Sequence, residues 1–184
     1  MRSRSPKQRA DPPKGDAALP GSSVTVPPVR AVFRGFAPVF CAFALVSPAF
    51  AGTNVSRSEL SLLRAVNAAR GSYHLAPLRV DAALTRAARA HTAEMVRTNV
   101  FAHGAFSARM RLFHVRGPVT GENLAWGSGP YGAAHAIVQM WLTSAPHRAN
   151  LLRPGFRRIG IGAMIGSFQG ESGATVVTAD FAGR

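Results

Sequence analysis

Three residues combine a chemically useful side chain with a neighbouring glycine or proline that favours a turn: His103, Glu122 and His147. Binding and catalytic residues are commonly placed on such connections, at the ends of rigid elements. Two neutral imidazoles and one carboxylate form the ligand set of a His₂Glu zinc site, which leaves a fourth position for water. The separations of 19 residues (103 to 122) and 25 residues (122 to 147) do not by themselves bring the three together. The fold must decide whether they converge.

The same three side chains also fit a second interpretation, a buried hydrogen-bond network that pins loops together. The other histidines are simpler to interpret. His91 falls on the apolar face of a predicted helix, where a core histidine bonded to backbone is commoner than a ligand. His74, His114 and His135 are predicted at the surface.

Helices are predicted in the first half of the domain. The capping box Ser56-x-x-Glu59 begins one helix, which Gly71 ends. Asp81 can cap a second helix. The spacing of its apolar face is helical and includes the following residues: Leu84, Ala88, His91 and Met95. A short helix is predicted to end near Val115.

The second half changes from helices to strands. A third helix is predicted from Ser128, with Pro130 in its first turn, to Pro146, so that His147 lies just past its end. The segment 119–127, VTGENLAWG, is predicted as a short extended piece between turns, with Glu122 outside any regular element. Alternating apolar residues over 159–165 and 177–181 predict two strands, joined as an antiparallel hairpin by the loop GSFQGESG. The order indicates an α+β domain, a small, mainly antiparallel sheet covered by helices.

Several further residues are assigned structural roles. Asn123 and Asn150 can satisfy backbone groups of loops through their amides. Trp141 and Phe156 are core candidates. Glycines at 160 and 162 would let a helix approach a strand closely.

The N-terminal third is predicted to lie outside this domain. Residues 1–35 are rich in Pro, Ser, Gly and charge, which predicts a disordered extension with a basic n-region, or a true start nearer Val29 or Val32. Residues 36–51 form the apolar region of a signal peptide, with cleavage after Ala49-Phe50-Ala51. That run is shorter than a membrane span needs and contains two prolines. We therefore expect a secreted (extracellular or periplasmic) single domain, residues 52–184, without a stable membrane span.

The net charge of +14 raises the question of nucleic acid. Residues 52–184 hold 15 Arg, no Lys and 6 acids, a difference of +9. Such a surface attracts polyanions. Because the arginines are spread over every segment and no nucleic-acid-binding motif accompanies them, we predict no nucleic-acid partner. For a secreted protein, anionic wall polymers or lipid headgroups are favoured over DNA as partners, and a basic surface that is merely solvated is favoured over either.

The motifs also occur in an order that resembles a known family. They are FAH (101–103), GENLAWG (121–127), a helix carrying Trp141, SAPHRANLLRPGF (144–156), RIGIGA (158–163) and VVTADFA (176–182). This order resembles the bacterial branch of the CAP superfamily, or SCP domains, shared with cysteine-rich secretory proteins, venom antigen 5 and plant pathogenesis-related proteins. The likeness spans nearly all of Ser58 to Phe181.

The resemblance implies an α-β-α sandwich, secretion, and a cleft lined by two His and two Glu. His103, Glu122 and His147 match three of those four positions. Ser144, three residues beyond Trp141, stands where eukaryotic members carry the second Glu. The substitution removes one negative charge from the cleft.

Three functions remain open at this point. The first is an extracellular binding module whose cleft could hold a divalent metal such as zinc and a lipid-like or cell-wall-derived ligand. The second is a metal-assisted hydrolase of peptides or esters, with a Ser144 and His147 dyad oriented by Glu122 as its metal-free version. The third is a purely structural surface protein. Arg148 could pair with Glu122 or with an anionic ligand, and we expect a monomer.

Overall fold

A computed structural model describes residues 54–183. The predicted extension and signal peptide lie outside this range. The helices are α1 (Arg57–Ser72), α2 (Ala82–Thr98), α3 (Phe106–Leu112), α4 (Ala134–Thr143) and α5 (Ala145–Leu151), with a 3₁₀ turn at Gly129–Gly132. The strands are β1 (Arg79–Val80), β2 (Val119–Gly127), β3 (Phe156–Phe168) and β4 (Glu171–Gly183). None of the helices in this range is long and apolar enough to cross a membrane.

The strands form one sheet in the order β1-β3-β4-β2. Strands β3 and β4 are an antiparallel hairpin in which Ile159 lies opposite Phe181. Strand β2 pairs antiparallel with β4, and this register sets Glu122 opposite Asp180. Only β1 runs parallel to its neighbour, β3. The predicted hairpin and the mainly antiparallel sheet are confirmed, but only Gln169 and Gly170 connect the strands, and the other residues of the predicted loop GSFQGESG belong to β3 and β4.

Alternation along β4 distributes its side chains between two helical layers. Val177, Ala179 and Phe181 pack in the cluster that includes α1, α4 and α5. Val176 and Ala182 point the other way, into clusters with residues of α2 and α3. Helices therefore cover both faces of the sheet, which confirms the predicted α-β-α sandwich.

Helix α2 lies very close to β3. A Cβ atom on Gly160 would lie 2.0 Å from the carbonyl carbon of Leu84, and one on Gly162 would lie 2.5 Å from the carbonyl oxygen of Ala88. No side chain fits at either position, as the sequence predicted.

The predicted helix starts are confirmed by their hydrogen bonds. The Ser56 hydroxyl accepts from the backbone N–H of Glu59 (3.2 Å), and the Glu59 carboxylate accepts from the N–H of Ser56 (2.7 Å). Asp81 accepts from the N–H groups of Ala83 and Leu84 at 2.9 and 3.0 Å. Each cap satisfies donors that have no partner within the helix.

The predicted third helix is wrong in its continuity and in the role of Pro146. The chain instead forms the 3₁₀ turn, then α4, and then a separate helix α5 after an extended residue, Ser144 (φ −96°, ψ 117°). Pro146 lies in the first turn of α5, where the missing N–H costs nothing because that donor has no intrahelical acceptor. His147 is therefore part of a helix, and not a residue just past one.

Two further expectations are corrected. Glu122 is in the middle of β2, and not outside a regular element, because the extended piece 119–127 pairs along its whole length with β4. The connection between the first two helices, for which no strand was predicted, contains β1, whose two residues pair with Arg158 and Ile159. Two residues are too few to produce a periodic pattern.

Arg70 joins α1 to the end of α5. Its side chain is fully buried and donates to the backbone carbonyls of Leu151 (2.8 Å), Arg153 (3.2 Å) and Ala76 (3.0 Å). Burial lowers the pKa of Arg70, and the nearby charge of Arg157 lowers it further. A buried cation thus holds the end of α5 through carbonyl oxygens.

Candidate functional site

Glu122 is the centre of the candidate site. It lies on the face of β2 turned toward α2 and α3, and only 2% of its side chain is exposed. A buried carboxylate is costly unless donors or positive charges surround it. The groups that meet Glu122 therefore define the site.

Three side chains approach this carboxylate. His103 Nδ1 lies 2.7 Å from Oε1, and the Arg109 guanidinium donates to Oε2. His91 Nε2 lies 3.9 Å from Oε2. Both oxygens of Glu122 are thus engaged by side chains from α2, α3 and the loop between them.

His103 links this buried centre to solvent. It precedes Gly104, whose φ of 58° suits glycine, and 57% of its side chain is exposed. Since Nδ1 faces a carboxylate, the natural tautomer carries the proton on Nδ1 and leaves Nε2 as a free lone pair. Such an imidazole can bind a metal or an acidic group from the solvent side.

His147 is positioned by two asparagines. The Asn123 side chain donates to the carbonyl oxygen of His147 (2.9 Å), and Asn150 donates to the carbonyl oxygen of Glu122 and to Oδ1 of Asn123, both at 3.1 Å. The amides bind backbone carbonyls as predicted, but these carbonyls belong to α5 and β2 and not to loops. The two amides fasten α5 to β2 and so fix His147 relative to Glu122.

Gly121 makes room for this arrangement. A Cβ atom at this position would lie 2.9 Å from Oδ1 of Asn150. The glycine that precedes Glu122 therefore permits the contact between α5 and β2.

The environment of His147 favours its neutral form. Burial lowers its pKa, and the charge of nearby His103 lowers it further. A neutral imidazole is the form that ligates metals and accepts protons.

Asp180 and Arg109 are members of the site that the sequence analysis missed. Asp180 is completely buried, and neither of its carboxylate oxygens accepts a hydrogen bond from the described residues. Burial raises the pKa of Asp180 well above its ordinary value, as does the charge of Glu122, while Arg109 opposes the shift. The surroundings of Asp180 therefore favour its neutral form.

The signals for these two residues differ in strength. Asp180 shares its face of β4 with the apolar residues Val176 and Ala182, so a buried acid in need of a partner could have been inferred. Arg109 lies in a short helix among other arginines, and nothing local distinguishes it from Arg111.

Within the described residues, neither Ser144 nor Arg148 forms a hydrogen bond or an ion pair with the Glu122 carboxylate. Ser144 is half-buried between α4 and α5, and its side chain makes no capping bond to α5. Arg148 is exposed, with its guanidinium carbon 5.3 Å from the ring centroid of Tyr73. The arginine that pairs with Glu122 is Arg109.

The remaining histidines agree with the predictions. His91 is buried and its Nε2 lies 2.9 Å from the carbonyl oxygen of Ala102, as expected for a core histidine bonded to backbone. His74, His114 and His135 are exposed.

The arrangement of His103, Glu122 and His147 can be compared with what a His₂Glu zinc site requires. Direct ligation by Glu122 would compete with Arg109 and His103 for its oxygens. Within residues 54–183, no group of three or more His, Cys, Asp or Glu side chains is arranged to hold a metal ion. His103 and His147 could still ligate through ring nitrogens, with Glu122 as the carboxylate that orients His103.

A largely apolar groove of about 520 Å³ borders this centre between α2 and α3. It is lined by Ala90, Glu94, Ala105, Ala108, Arg109, Leu112 and Phe113. Leu112 is 72% exposed there. Arg109 belongs both to the groove and to the Glu122 centre, so the two are contiguous.

Comparisons with known sequences agree on one family. The sequence model of the CAP family (Cysteine-rich secretory protein family) matches residues 63–181. The chain is 32% identical over 139 residues to the uncharacterized protein YkwD of Bacillus subtilis. This match covers 73% of this chain and 50% of that protein. It is 35% identical over 112 residues to pathogenesis-related protein 1 of Arabidopsis thaliana, covering 60% of this chain and 62% of the other. The chain spans half or less of the length of two Bacillus subtilis relatives (50% and 31%).

Solved structures show the same fold. An extracellular protein containing a SCP domain from Bacillus anthracis is 25% identical, with a TM-score of 0.57 over 68% of this chain and 40% of that chain. An outer surface protein of Borrelia burgdorferi is 20% identical, with a TM-score of 0.57 over 67% of this chain and 90% of that chain. The second likeness concerns the fold alone.

Proposed function

Because the chain belongs to the CAP family, we propose that it is an extracellular binding module whose His/Glu cleft holds a divalent cation and an anionic, lipid-like or cell-wall-derived ligand. The cleft is formed by His103, Glu122 and His147. The observation that carries the proposal is the 2.7 Å contact between His103 Nδ1 and Glu122. A carboxylate on one ring nitrogen fixes the tautomer and makes the other nitrogen a better ligand.

The charges around Glu122 favour an anionic ligand. Arg109 neutralises the carboxylate, and burial favours the uncharged form of Asp180, so the interior supplies little net negative charge. His103 and His147 would hold the cation as neutral ligands. When bound, a metal such as zinc would supply a positive anchoring point for a phosphate or carboxylate group.

The apolar groove between α2 and α3 favours a lipid-like ligand. It begins at Arg109 and exposes Leu112, so an acyl chain could lie along it while the acidic head meets the cleft. The structural relative described as extracellular supports secretion of this chain.

Zinc binding can be tested by thermal unfolding. The protein is stripped with chelator and titrated with zinc. A ligand that binds only the folded state stabilises it by about 2.7 kcal/mol at a free concentration one hundred times the Kd. We expect an increase in Tm for the wild type and little or none for His103→Ala and His147→Ala.

His135→Ala is the matched control, because it removes an exposed histidine outside the cleft. It should retain the full zinc response. If the wild type does not respond, or if all the histidine variants respond equally, the proposed cation site is wrong.

No contact in the described residues favours the hydrolase alternative. Glu122, the acid it requires, already has both oxygens engaged. Turnover of a peptide or ester that disappears in a folded Glu122→Ala variant would replace the binding proposal by this one.

A further inference from the structure

The layer formed by α1, α4 and α5 is almost free of acidic residues. These three helices carry one, Glu59, and Arg89 of α2 pairs with it at 2.6 Å. From Asn123 to Gly170 the sequence contains no Asp or Glu at all. The arginines of α5 and of the turn that follows it therefore have no acid close to them in the sequence.

Three exposed arginines follow one another along the chain, in α5, in the turn after it and at the start of β3: Arg148, Arg153 and Arg157. We call them the arginine rim. In the described part of the chain, the arginines that form ion pairs are Arg89, Arg109 and Arg158, so no carboxylate there neutralises the rim. Arg70, buried beneath it, is held by carbonyl oxygens and adds a fourth positive charge.

The rim borders an apolar groove. A space of about 470 Å³ is lined mainly by small and apolar residues of α4, α5 and the following turn, together with two rim arginines. Its apolar members include Leu142, Ala149 and Leu152. A water-soluble polyanion would need only the guanidinium groups, whereas positive charge beside apolar surface matches the interface of a lipid bilayer.

An exposed aromatic side chain completes this surface. Tyr73, at the end of α1, is 44% exposed and lies under Arg148. Tyrosine prefers the level of lipid headgroups because its ring is apolar and its hydroxyl is polar.

We propose that the arginine rim and its groove are where the protein lies on a bilayer containing anionic phospholipids. The guanidinium groups contact headgroup phosphates, while Leu142 and Leu152 face the upper acyl region. This surface contains none of the cleft residues, so the proposal stands independently of the function proposed above.

The test is sedimentation of the full chain with vesicles. One set contains phosphatidylglycerol and phosphatidylcholine, and the other contains phosphatidylcholine alone. The double variant Arg148→Gln with Arg153→Gln is compared with Arg86→Gln and Arg97→Gln, two exposed arginines of α2. All proteins share residues 1–53, so any contribution of that segment cancels between variants.

We expect the wild type to prefer the anionic vesicles, and to lose this preference at high salt. Loss of two rim arginines should weaken the partition coefficient by about 30-fold, since each basic residue near the surface contributes a factor of about 5. The α2 variant should weaken it less than about threefold, because those charges are screened by distance. Glutamine keeps the length of the side chain, and melting curves would verify folding.

Three results would overturn the proposal. They are equal binding to both vesicle types, no binding to either, and equal losses in the two double variants. A further comparison uses inorganic polyphosphate as a soluble polyanion without an apolar phase. Leu152→Ser should weaken vesicle binding several-fold and leave polyphosphate binding unchanged; if vesicle binding is unchanged too, the rim recognises a polyanion and not a bilayer.

Discussion

On the face of the sheet covered by α1, α4 and α5, the buried side chains of the strands are mainly apolar, whereas on the face covered by α2 and α3 they include ionisable ones. On the first face, Trp141, Phe156 and Phe181 belong to one continuous cluster. On the second, Glu122 and Asp180 lie side by side on neighbouring strands. Near them, the buried hydroxyls of Thr92 and Thr178 are 2.9 Å apart.

This difference separates two tasks. Apolar burial is non-directional and contributes most of the free energy of folding. Buried polar groups require particular partners at particular distances, and they destabilise the fold when a partner is lost. The first face therefore stabilises the sandwich, while the second holds the cleft residues in place.

The largest expected effect is on the apolar face. Trp141→Ala should lower the free energy of unfolding by about 4 kcal/mol, because it leaves a large void and removes the hydrogen bond from Nε1 to the carbonyl oxygen of Leu124 (2.9 Å). Denaturant titration measures the change. Tyr131→Ala, at a 69% exposed position, should change the value by less than about 0.5 kcal/mol. Similar losses in the two variants would mean that this face is not the main source of stability.

A somewhat smaller effect is expected on the polar face. Arg109→Met leaves Glu122 without its cation and should cost about 3 kcal/mol. Arg111→Met in the same helix changes an exposed arginine and is the control. Adding Glu122→Gln should recover part of the loss, and strictly additive losses in this double-mutant cycle would contradict the ion pair.

The third prediction concerns the ion pair between Glu59 of α1 and Arg89 of α2, which joins the two helical layers. Burial raises the pKa of Glu59, but hydrogen bonds from Arg89 and Ser56 outweigh burial, and the pKa is lowered overall. Its stabilisation is therefore present at neutral pH and is lost as pH falls through the folded-state pKa. Glu59→Gln should cost about 1.5 kcal/mol at pH 7 and progressively less toward pH 3.

Denaturation at several pH values measures this difference. Glu171→Gln, at an exposed acid, should follow the wild type throughout. A cost for Glu59→Gln that does not depend on pH would show that the charge of Glu59 is not what joins the layers.

The smallest effect is expected at Asp180. Because its pKa is raised in the folded state, wild-type stability is complete below the ordinary aspartate range and declines as pH rises through the folded-state pKa. Asp180→Asn copies the neutral acid and should change stability by less than about 1 kcal/mol at pH 5. At higher pH it should gain relative to the wild type. A variant that becomes relatively less stable with rising pH would indicate an ionised Asp180.

What could be predicted from the sequence depended on how local the cause was. The Ser56 capping box, the Asp81 cap and the glycines facing α2 each act through neighbouring backbone or a single close contact, and they were predicted correctly. Pro146 was misjudged because proline is compatible both with the end of one helix and with the first turn of the next. Helix α5 is held to β2 by hydrogen bonds of Asn123 and Asn150, which join residues that are far apart in the sequence.

For the candidate site, too, only features with a local cause could be predicted from the sequence. Motif order led to His103 and Glu122, which the structure places in contact. The roles of Asp180 and Arg109 arise from the register of β2 with β4 and from the packing of α3. No local pattern encodes either of these.

The hydrogen bonds from Trp141 and Asn150 also concern how the sheet meets other molecules. They end on the carbonyl oxygens of Leu124 and Glu122, both on β2, which is an edge strand. An exposed edge as long as the nine residues of β2 would be a template for strand addition and fibril growth. Side chains of α4 and α5 occupy two of its acceptors. A strand that added to β2 would therefore have to displace hydrogen bonds that already hold α4 and α5 to the sheet.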